Sequence, residues 1–410
     1  MGEIHQHQLE NGLRLLAEPI EGVESVAMTL LVPGGASVEP ADKQGLGQVL
    51  MEMLFRGAGS LDARAHSDAL DQLGVQRDSS VGSVHARLEA TMIGRHVPEA
   101  LALLLDMVRR PRLPASALDP SRDLALQALE SLEDEPQQKV FLHLRQQQYP
   151  DPFGRSALGQ KPHIASIMLQ DVQEHWARSF VPGGAILAFA GRIEWPRLRA
   201  QVHELLGDWA GQGSEPSETA APPRGYLHVQ ADSTQVHIGV AYDAIADPDP
   251  RSILQRTAIT VLAGGMSGRL GTEVREKRGL CYSVYATYAG ERDRGNVLGY
   301  AGTTTARAQE TLDVLVAELG RIAEGVEPEE FQRARVGMKS GLVMQGESTG
   351  ARAAAIAADQ YVYGHPRTLE DLERLVDSVT LQDLNQFLRL NPPGAMTVVT
   401  VGPKALRAAG

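Results

Sequence analysis

The feature that most constrains this chain is a pattern written twice, about half of its 410 residues apart. Ser166-Ile-Met-Leu-Gln-Asp-Val172 runs into a helical stretch, a Pro182-Gly-Gly turn, an apolar strand and Gly191. Ser378-Val-Thr-Leu-Gln-Asp-Leu384 runs into a second helical stretch, a Pro393-Gly394 turn, an apolar strand and Gly402. In each copy Leu-Gln-Asp opens a helix, and a Pro-Gly turn ends it and feeds a buried strand. A repeat of this length means duplicated domains rather than a solenoid of short units. The stretch Gly211-Gln-Gly-Ser-Glu-Pro-Ser-Glu-Thr-Ala-Ala-Pro-Pro-Arg224 lies between the copies. Its Gly, Ser, Pro and Glu cannot offset the entropy of ordering by burial, so it reads as an exposed linker. The predicted division is residues 1–210, a linker at 211–225, and residues 226–410.

Within each half, strands and helices alternate irregularly. Val26–Val32 and Val236–Tyr242 have strand patterning, and Tyr282–Tyr288 has aromatic and β-branched content. Glu99–Arg109, Pro120–Leu132, Arg307–Ile322 and Pro328–Met344 carry apolar residues at helical spacing. Strand pairs separated by long helices predict an α+β fold: two homologous domains, each a mainly antiparallel sheet with helices packed on one face.

Composition excludes several function classes. Hydrophobic residues are 43% and charged residues 22%, the balance of a globular chain. The net charge of -12 argues against a nucleic-acid partner, which needs a surplus of Lys and Arg. The lone Cys281 cannot form an intrachain disulfide. The opening stretch Met1–Gly12 is polar, with no apolar signal-peptide core, and the longest apolar runs, such as Ala185–Ala190, are strand-sized. The expectation is a cytoplasmic protein with no membrane segment.

The segment Gly45-Leu-Gly-Gln-Val-Leu-Met-Glu-Met-Leu-Phe-Arg-Gly57 predicts an amphipathic helix. Leu46, Val49, Leu50, Met53 and Leu54 form its apolar stripe, and Gln48 and Glu52 stand one turn apart on the other face. From the residues alone, that pair is either a solvated face or two side chains converging on a shared point. The frame around it resembles the active-site helix of the pitrilysin/insulinase metallopeptidases. Active members carry an inverted zinc motif there, H-x-x-E-H, with two zinc-binding His and a Glu that activates water. The resemblance sets Gln48 and Glu52 at the two His positions and Met51 at the catalytic Glu. Ser121–Glu133 resembles the helix that supplies the last zinc ligand, whose position falls at Ala128. A catalytic zinc takes three protein ligands from imidazole, thiolate or carboxylate. Gln48, Met51 and Ala128 supply none of these and Glu52 only one, so no metal is expected in this chain. A replacement site from His85, His143, His163 or His175 stays open at this stage, although these lie on unrelated segments.

In the second half, Leu262–Tyr285 resembles another family signature, in which an Arg and a Tyr seven residues apart project toward the zinc site. They match Arg275 and Tyr282. A guanidinium and a phenol there imply binding of substrate carbonyls and stabilisation of an oxyanion. Without the resemblance, Arg275 would be a helix-end cation and Tyr282 a packed strand residue. Cys281 has no local His to activate it and reads as a small core residue. The glycines at 264, 265, 268 and 271 lack a following Gly-Lys-Ser/Thr and read as turn and packing residues.

The resemblance runs from Leu9–Leu15 through Asp151–Gly159 to Met396–Val401. It implies the small dimeric branch that includes the mitochondrial processing peptidase and bacterial heterodimers, in which one subunit carries zinc and its partner does not. The short Ala263–Gly268 stretch, where the mitochondrial non-catalytic subunit has a long glycine-rich insertion, points to the bacterial type. The implied function is a non-catalytic subunit, inactive alone. It would present Arg275 and Tyr282 in trans to a peptide at the zinc of a homologous partner. A structural scaffold and a stand-alone peptide-binding protein are the alternatives.

Overall fold

The computed structural model describes residues 3–407; Met1 and Gly2 of the polar opening stretch, and the last three residues of the 226–410 half, lie outside the described residues. The first sheet is built from β1 (His5–Gln8), β2 (Arg14–Pro19), β3 (Ser25–Val32), β4 (Gln76–Val81), β5 (Ala86–Ile93) and β6 (Ile186–Gly191). Its order is β1-β2-β6-β3-β5-β4, and every pairing is antiparallel except β2 with β6. The second sheet contains β7 (Tyr226–Gln230), β8 (Gln235–Ala244), β9 (Cys281–Gly290), β10 (Gly295–Thr304) and β11 (Thr397–Gly402). Its order is β9-β10-β8-β11-β7, again antiparallel except for β11 with β7.

The two orders superimpose: β2, β6, β3, β5 and β4 correspond to β7, β11, β8, β10 and β9, and the one parallel pair falls at the same place. The repeated segments occupy equivalent positions. Each Leu-Gln-Asp opens a helix, Leu169–Ser179 and Leu381–Leu390, and each apolar strand that follows, β6 and β11, is buried along its full length. Asp171 and Asp383 take part in the two N-terminal caps, with Met168 and Thr380 respectively.

Alternation along the strands divides each sheet into two apolar faces. In the first sheet, Leu15, Ala17, Met28 and Leu30 face a core built with the Leu46–Leu54, Val97–Arg109 and Trp195–Leu206 helices. In the second, Val236, Ile238, Val240 and Tyr242 face the Ser252–Ala263, Ala308–Arg321 and Leu381–Leu390 helices. These are the helix-covered faces that the sequence predicts. The opposite faces are apolar as well, and each is covered by one helix from the other half of the chain.

Leu16, Leu31, Ile186 and Ala188 pack on Ile356 and Ala357 of the Thr349–Tyr363 helix. Val399 and Ala241 pack on Leu144, and Val401 and Tyr300 on Val140, both from the Pro136–Gln148 helix. That helix comes so close to β8 that a Cβ on Gly239 would lie 2.4 Å from Val140 Cγ1. Its last turn is held by Gln148, which bonds Asp243 (2.9 Å), Asn296 (2.7 Å) and Thr397 (2.7 Å).

The compact units therefore are not contiguous halves. One comprises the chain up to Ser131, Asp151–Ala220 and Gln345–Thr368; the other comprises Leu132–Pro150, Ala221–Met344 and the chain from Leu369. Helical periodicity reveals that a helix has an apolar face but not which sheet that face meets, so a linker at 211–225 cannot register the exchange.

The helix on the first sheet is tied by an ion pair. Glu18 shares the face of Leu16, and its carboxylate accepts from Arg352 Nε at 2.8 Å, with both side chains under 5% exposed. Arg352 Nη2 also donates to the Arg367 carbonyl (3.2 Å), and Arg367 is paired with Asp359 (2.7 Å). Removing one partner of a buried pair strands a charge at a cost of about 3–5 kcal/mol. Urea unfolding of Arg352→Met is expected to show a loss of that size, and the double variant E18L/R352M is expected to recover most of it.

Candidate functional site

The Leu46–Leu54 helix lies where the sequence predicts, with Leu46, Val49, Leu50, Met53 and Leu54 all buried. It starts from Gly45, whose φ of 100° is left-handed; a Cβ there would lie 2.7 Å from Ile164 Cγ1. Its free N–H groups are met by a residue that the motif does not reveal. Glu39 is buried, and its two carboxylate oxygens accept from Gly45 N and Gly47 N at 2.7 Å each. A carboxylate at a helix N-terminus satisfies orphan donors and suits the dipole. Arg155 holds the same corner, donating to the Glu39 carbonyl at 2.8 Å and pairing with Asp151 at 2.9 Å. No capping-box spacing flags Glu39, because it reaches the helix from six residues before Gly45.

The helix packs directly against Leu118–Ser131, so the two elements bearing the zinc-ligand positions are brought together. Gln48 and Glu52 are half-buried, and neither side chain has a hydrogen-bond or ion-pair partner among the described residues. Met51 is a core residue at 3% exposure, and Ala128 is half-buried. The arrangement thus places an amide, a thioether, a carboxylate and a methyl group at the four positions.

The histidines lie apart in separate roles. His85 packs edge-on against Tyr361 (4.4 Å between centroids), and His143 is 3.2 Å from Gln146 Oε1. His175 is buried beside Ser179, and desolvation pushes its imidazole down to about 4. Among the described residues no three His, Cys, Asp or Glu side chains gather where they could hold a metal ion.

Arg275 and Tyr282 lie on consecutive elements of the second unit, a helical turn and the strand that follows it. Gly271–Glu276 is wound with wide i→i+5 turns, as in the bond from Lys277 N to Thr272 O (2.9 Å), a geometry frequent at functional sites. Lys277 and Arg278 are both held by Glu273 (2.6 and 2.8 Å), whose carboxyl they keep below its usual range. Arg275 has no carboxylate partner among the described residues; its Nη1 lies 3.2 Å from Met266 Sδ, a weak acceptor.

Tyr282 sits at a bulge in β9, where the pairing with β10 shifts between Cys281 and Ser283. The extra residue changes parity along the strand, so that Cys281, Ala286 and Tyr288 all face the helix-side core. Tyr282 is left 79% exposed. Cys281 is buried, and desolvation raises its thiol, the opposite of an activated nucleophile. The bulge cannot be seen in the sequence, since alternation in Tyr282–Tyr288 is broken without a Gly to mark it.

Residues 14–161 match the family described as insulinase (peptidase family M16), and residues 166–338 match the one described as peptidase M16 inactive domain. The chain belongs to the M16 peptidase family. An uncharacterized zinc protease of Mycobacterium tuberculosis is 27% identical over 396 residues, covering 93% of this chain and 89% of that protein. The peptidase M16 inactive domain from Pseudomonas fluorescens has the same fold, with a TM-score of 0.89 at 20% identity over 99% of both chains. A chain of complex III2 from Candida albicans shares it as well, with a TM-score of 0.82 at 16% identity over 98% of this chain and 96% of that one.

The M16 family implies zinc, and the donor set of this chain does not fit it. Glu52 is the one ligand-type side chain at the motif, Met51 has no proton-accepting group, and Ala128 has no donor atom. Metal analysis after exhaustive dialysis is expected to find zinc well below one ion per chain.

Glu39 gives a second expectation. Burial outweighs its two N–H bonds and the nearby Arg155, and raises its carboxyl from 4.5 to about 7. The folded state therefore holds the proton more tightly than the unfolded state. The associated stability is fully present below about pH 4.5 and is lost as pH rises through about 7, by on the order of 3 kcal/mol. Denaturant titrations of Glu39→Gln are expected to be flatter across that window than those of the wild type.

Proposed function

We propose that this M16 chain is the non-catalytic subunit of a heterodimeric zinc peptidase of the bacterial, processing-peptidase-like type. In this reading a homologous subunit supplies the metal and its activated water. This chain supplies Arg275 and Tyr282, which bind the peptide carbonyl and stabilise the oxyanion that develops on it.

One conjunction carries the reading. The helix at the zinc-ligand positions keeps its apolar frame and packing without ligand chemistry, yet Arg275 and Tyr282 remain exposed and without strong partners among the described residues. An arginine with no carboxylate beside it and a tyrosine turned outward by a bulge contribute little to their own fold. Their chemistry suits a group that arrives from elsewhere: a planar guanidinium fork and a phenolic O–H are donors that a developing negative charge on oxygen can use. Donors fixed before the reaction also avoid reorganisation during it.

The reading includes a cytoplasmic location, which cell fractionation tests. A purely structural role is the second reading, supported by the fold shared with a chain of complex III2 from Candida albicans. A stand-alone peptide-binding protein is a third outcome of the same experiment.

The test mixes this chain with a homologous M16 chain bearing an intact H-x-x-E-H, and follows cleavage of an unstructured peptide. Activity is expected only in the mixture. Removal of one oxyanion donor costs on the order of 10²–10³ in kcat. Arg275→Ala and Tyr282→Phe are each expected to lose activity on that scale without moving the thermal midpoint of this chain, because both side chains are exposed. Full activity in both variants would remove their assigned role. A mixture that forms a stable complex but never cleaves would favour the scaffold, and peptide binding by a monomer would favour the stand-alone protein.

A further inference from the structure

The first unit contains a second candidate site, away from the degenerate zinc helix. β5 and β6 lie on either side of β3 and both run antiparallel to it, so their carboxyl ends emerge at the same edge of the sheet. Each leads within a few residues into a long helix, Val97–Arg109 from β5 and Trp195–Leu206 from β6. Between the two helix starts is a cavity of about 470 Å³, within the size range of small-molecule sites.

The cavity lining combines apolar side chains with exposed charged ones. Its floor is closed by the buried Val26, Phe189 and Leu198, and the half-buried Val97 and Ile193 form its walls. Three arginines, Arg95, Arg192 and Arg197, stand at the mouth with Glu24 and Glu194. Arg192 is paired with Glu24. Arg95 donates from Nε to His96 Nε2 at 3.2 Å, and neither Arg95 nor Arg197 has a carboxylate partner among the described residues. Three guanidiniums against two carboxylates leave a local surplus of positive charge in a chain whose net charge is -12. That surplus suits a ligand with a single negative charge, and the half-buried Val97 and Ile193 suit an apolar group attached to it. Among anions, a carboxylate matches the planar fork of an arginine.

We propose that this cavity binds a carboxylate bearing an apolar chain, with the carboxylate at Arg95 and Arg197 and the apolar part against Val97 and Ile193. Two sources share this chemistry: a free medium-chain acid, and the C-terminal residue of a peptide. The site does not depend on the peptidase reading, since none of its residues belongs to the zinc-ligand helices or to the Arg275–Tyr282 segment.

Calorimetric titration of the full chain tests it with three probes: octanoate, a pentapeptide ending in a free leucine carboxylate, and the same pentapeptide amidated at its C-terminus. At least one of the two carboxylates is expected to saturate the site, with affinity falling as salt increases. Octanoate alone would assign the free acid, and the free-ended peptide alone would assign the chain end. The double variant R95A/R197A is expected to weaken binding at least tenfold. Val97→Trp, which fills the cavity from its wall, is expected to abolish it. Should Val97→Trp fail to fold, the double arginine variant decides the matter, because its two side chains are exposed and make no ion pair. The proposal is overturned by any of three results: neither carboxylate binding saturably, the amide binding as well as the free acid end, or R95A/R197A binding like the wild type.

Discussion

An open sheet that is apolar on both faces cannot stand with one face in water, and this requirement organises the whole chain. Leu16, Leu31, Ile186 and Ala188 on the first sheet, and Val399, Val401 and Tyr300 on the second, need a cover that their own half of the sequence does not provide. Each sheet takes one helix from the other half. On the first sheet the cover carries a buried charge, Arg352, matched by Glu18 on β2. A buried ion pair is weak evidence for net stability, but docking this helix elsewhere on the sheet would strand its charge in an apolar layer. The Ala-rich Thr349–Tyr363 helix suits this position, since small side chains let it lie close to the strands.

The same duplicated architecture has diverged in what its surfaces do. The first copy retains the helix on which M16 peptidases build their zinc site, with a packed apolar stripe, a glycine start and a buried carboxylate on its N-terminus. Such features hold a helix in place whether or not a metal is bound, so its frame can outlast its chemistry. Met51 makes the point locally: the side chain that the resemblance sets at the position of a water-activating carboxylate is part of the hydrophobic core. The second copy spends little of its stability on Arg275 and Tyr282. A wide helical turn carries one, and a strand bulge exposes the other.

Much of the fold was determined by the sequence alone. The doubled Leu-Gln-Asp, helix, Pro-Gly, strand pattern predicted equivalent domains, and all five strands of the second sheet have counterparts in the first, which adds β1 at one edge. Periodicity located the helices at 97–109, 118–131, 308–321 and 328–346 to within about two residues, because an apolar stripe is a property of neighbouring side chains. That Gln48 and Ala128 offer no zinc-type ligand and Met51 no general base was equally legible, since ligand and base chemistry belong to the residue itself.

Only the tertiary structure decided where the Pro136–Gln148 and Thr349–Tyr363 helices dock, that Glu39 caps a helix from outside any local motif, and that a bulge turns Tyr282 outward. It also decided that Arg95 and Arg197, a hundred residues apart in sequence, stand at the mouth of one cavity. The physical reason is common to all four. Local sequence specifies which face of an element is apolar and which groups it carries, but a docking partner is chosen by shape and charge across residues that the chain brings together only when it folds.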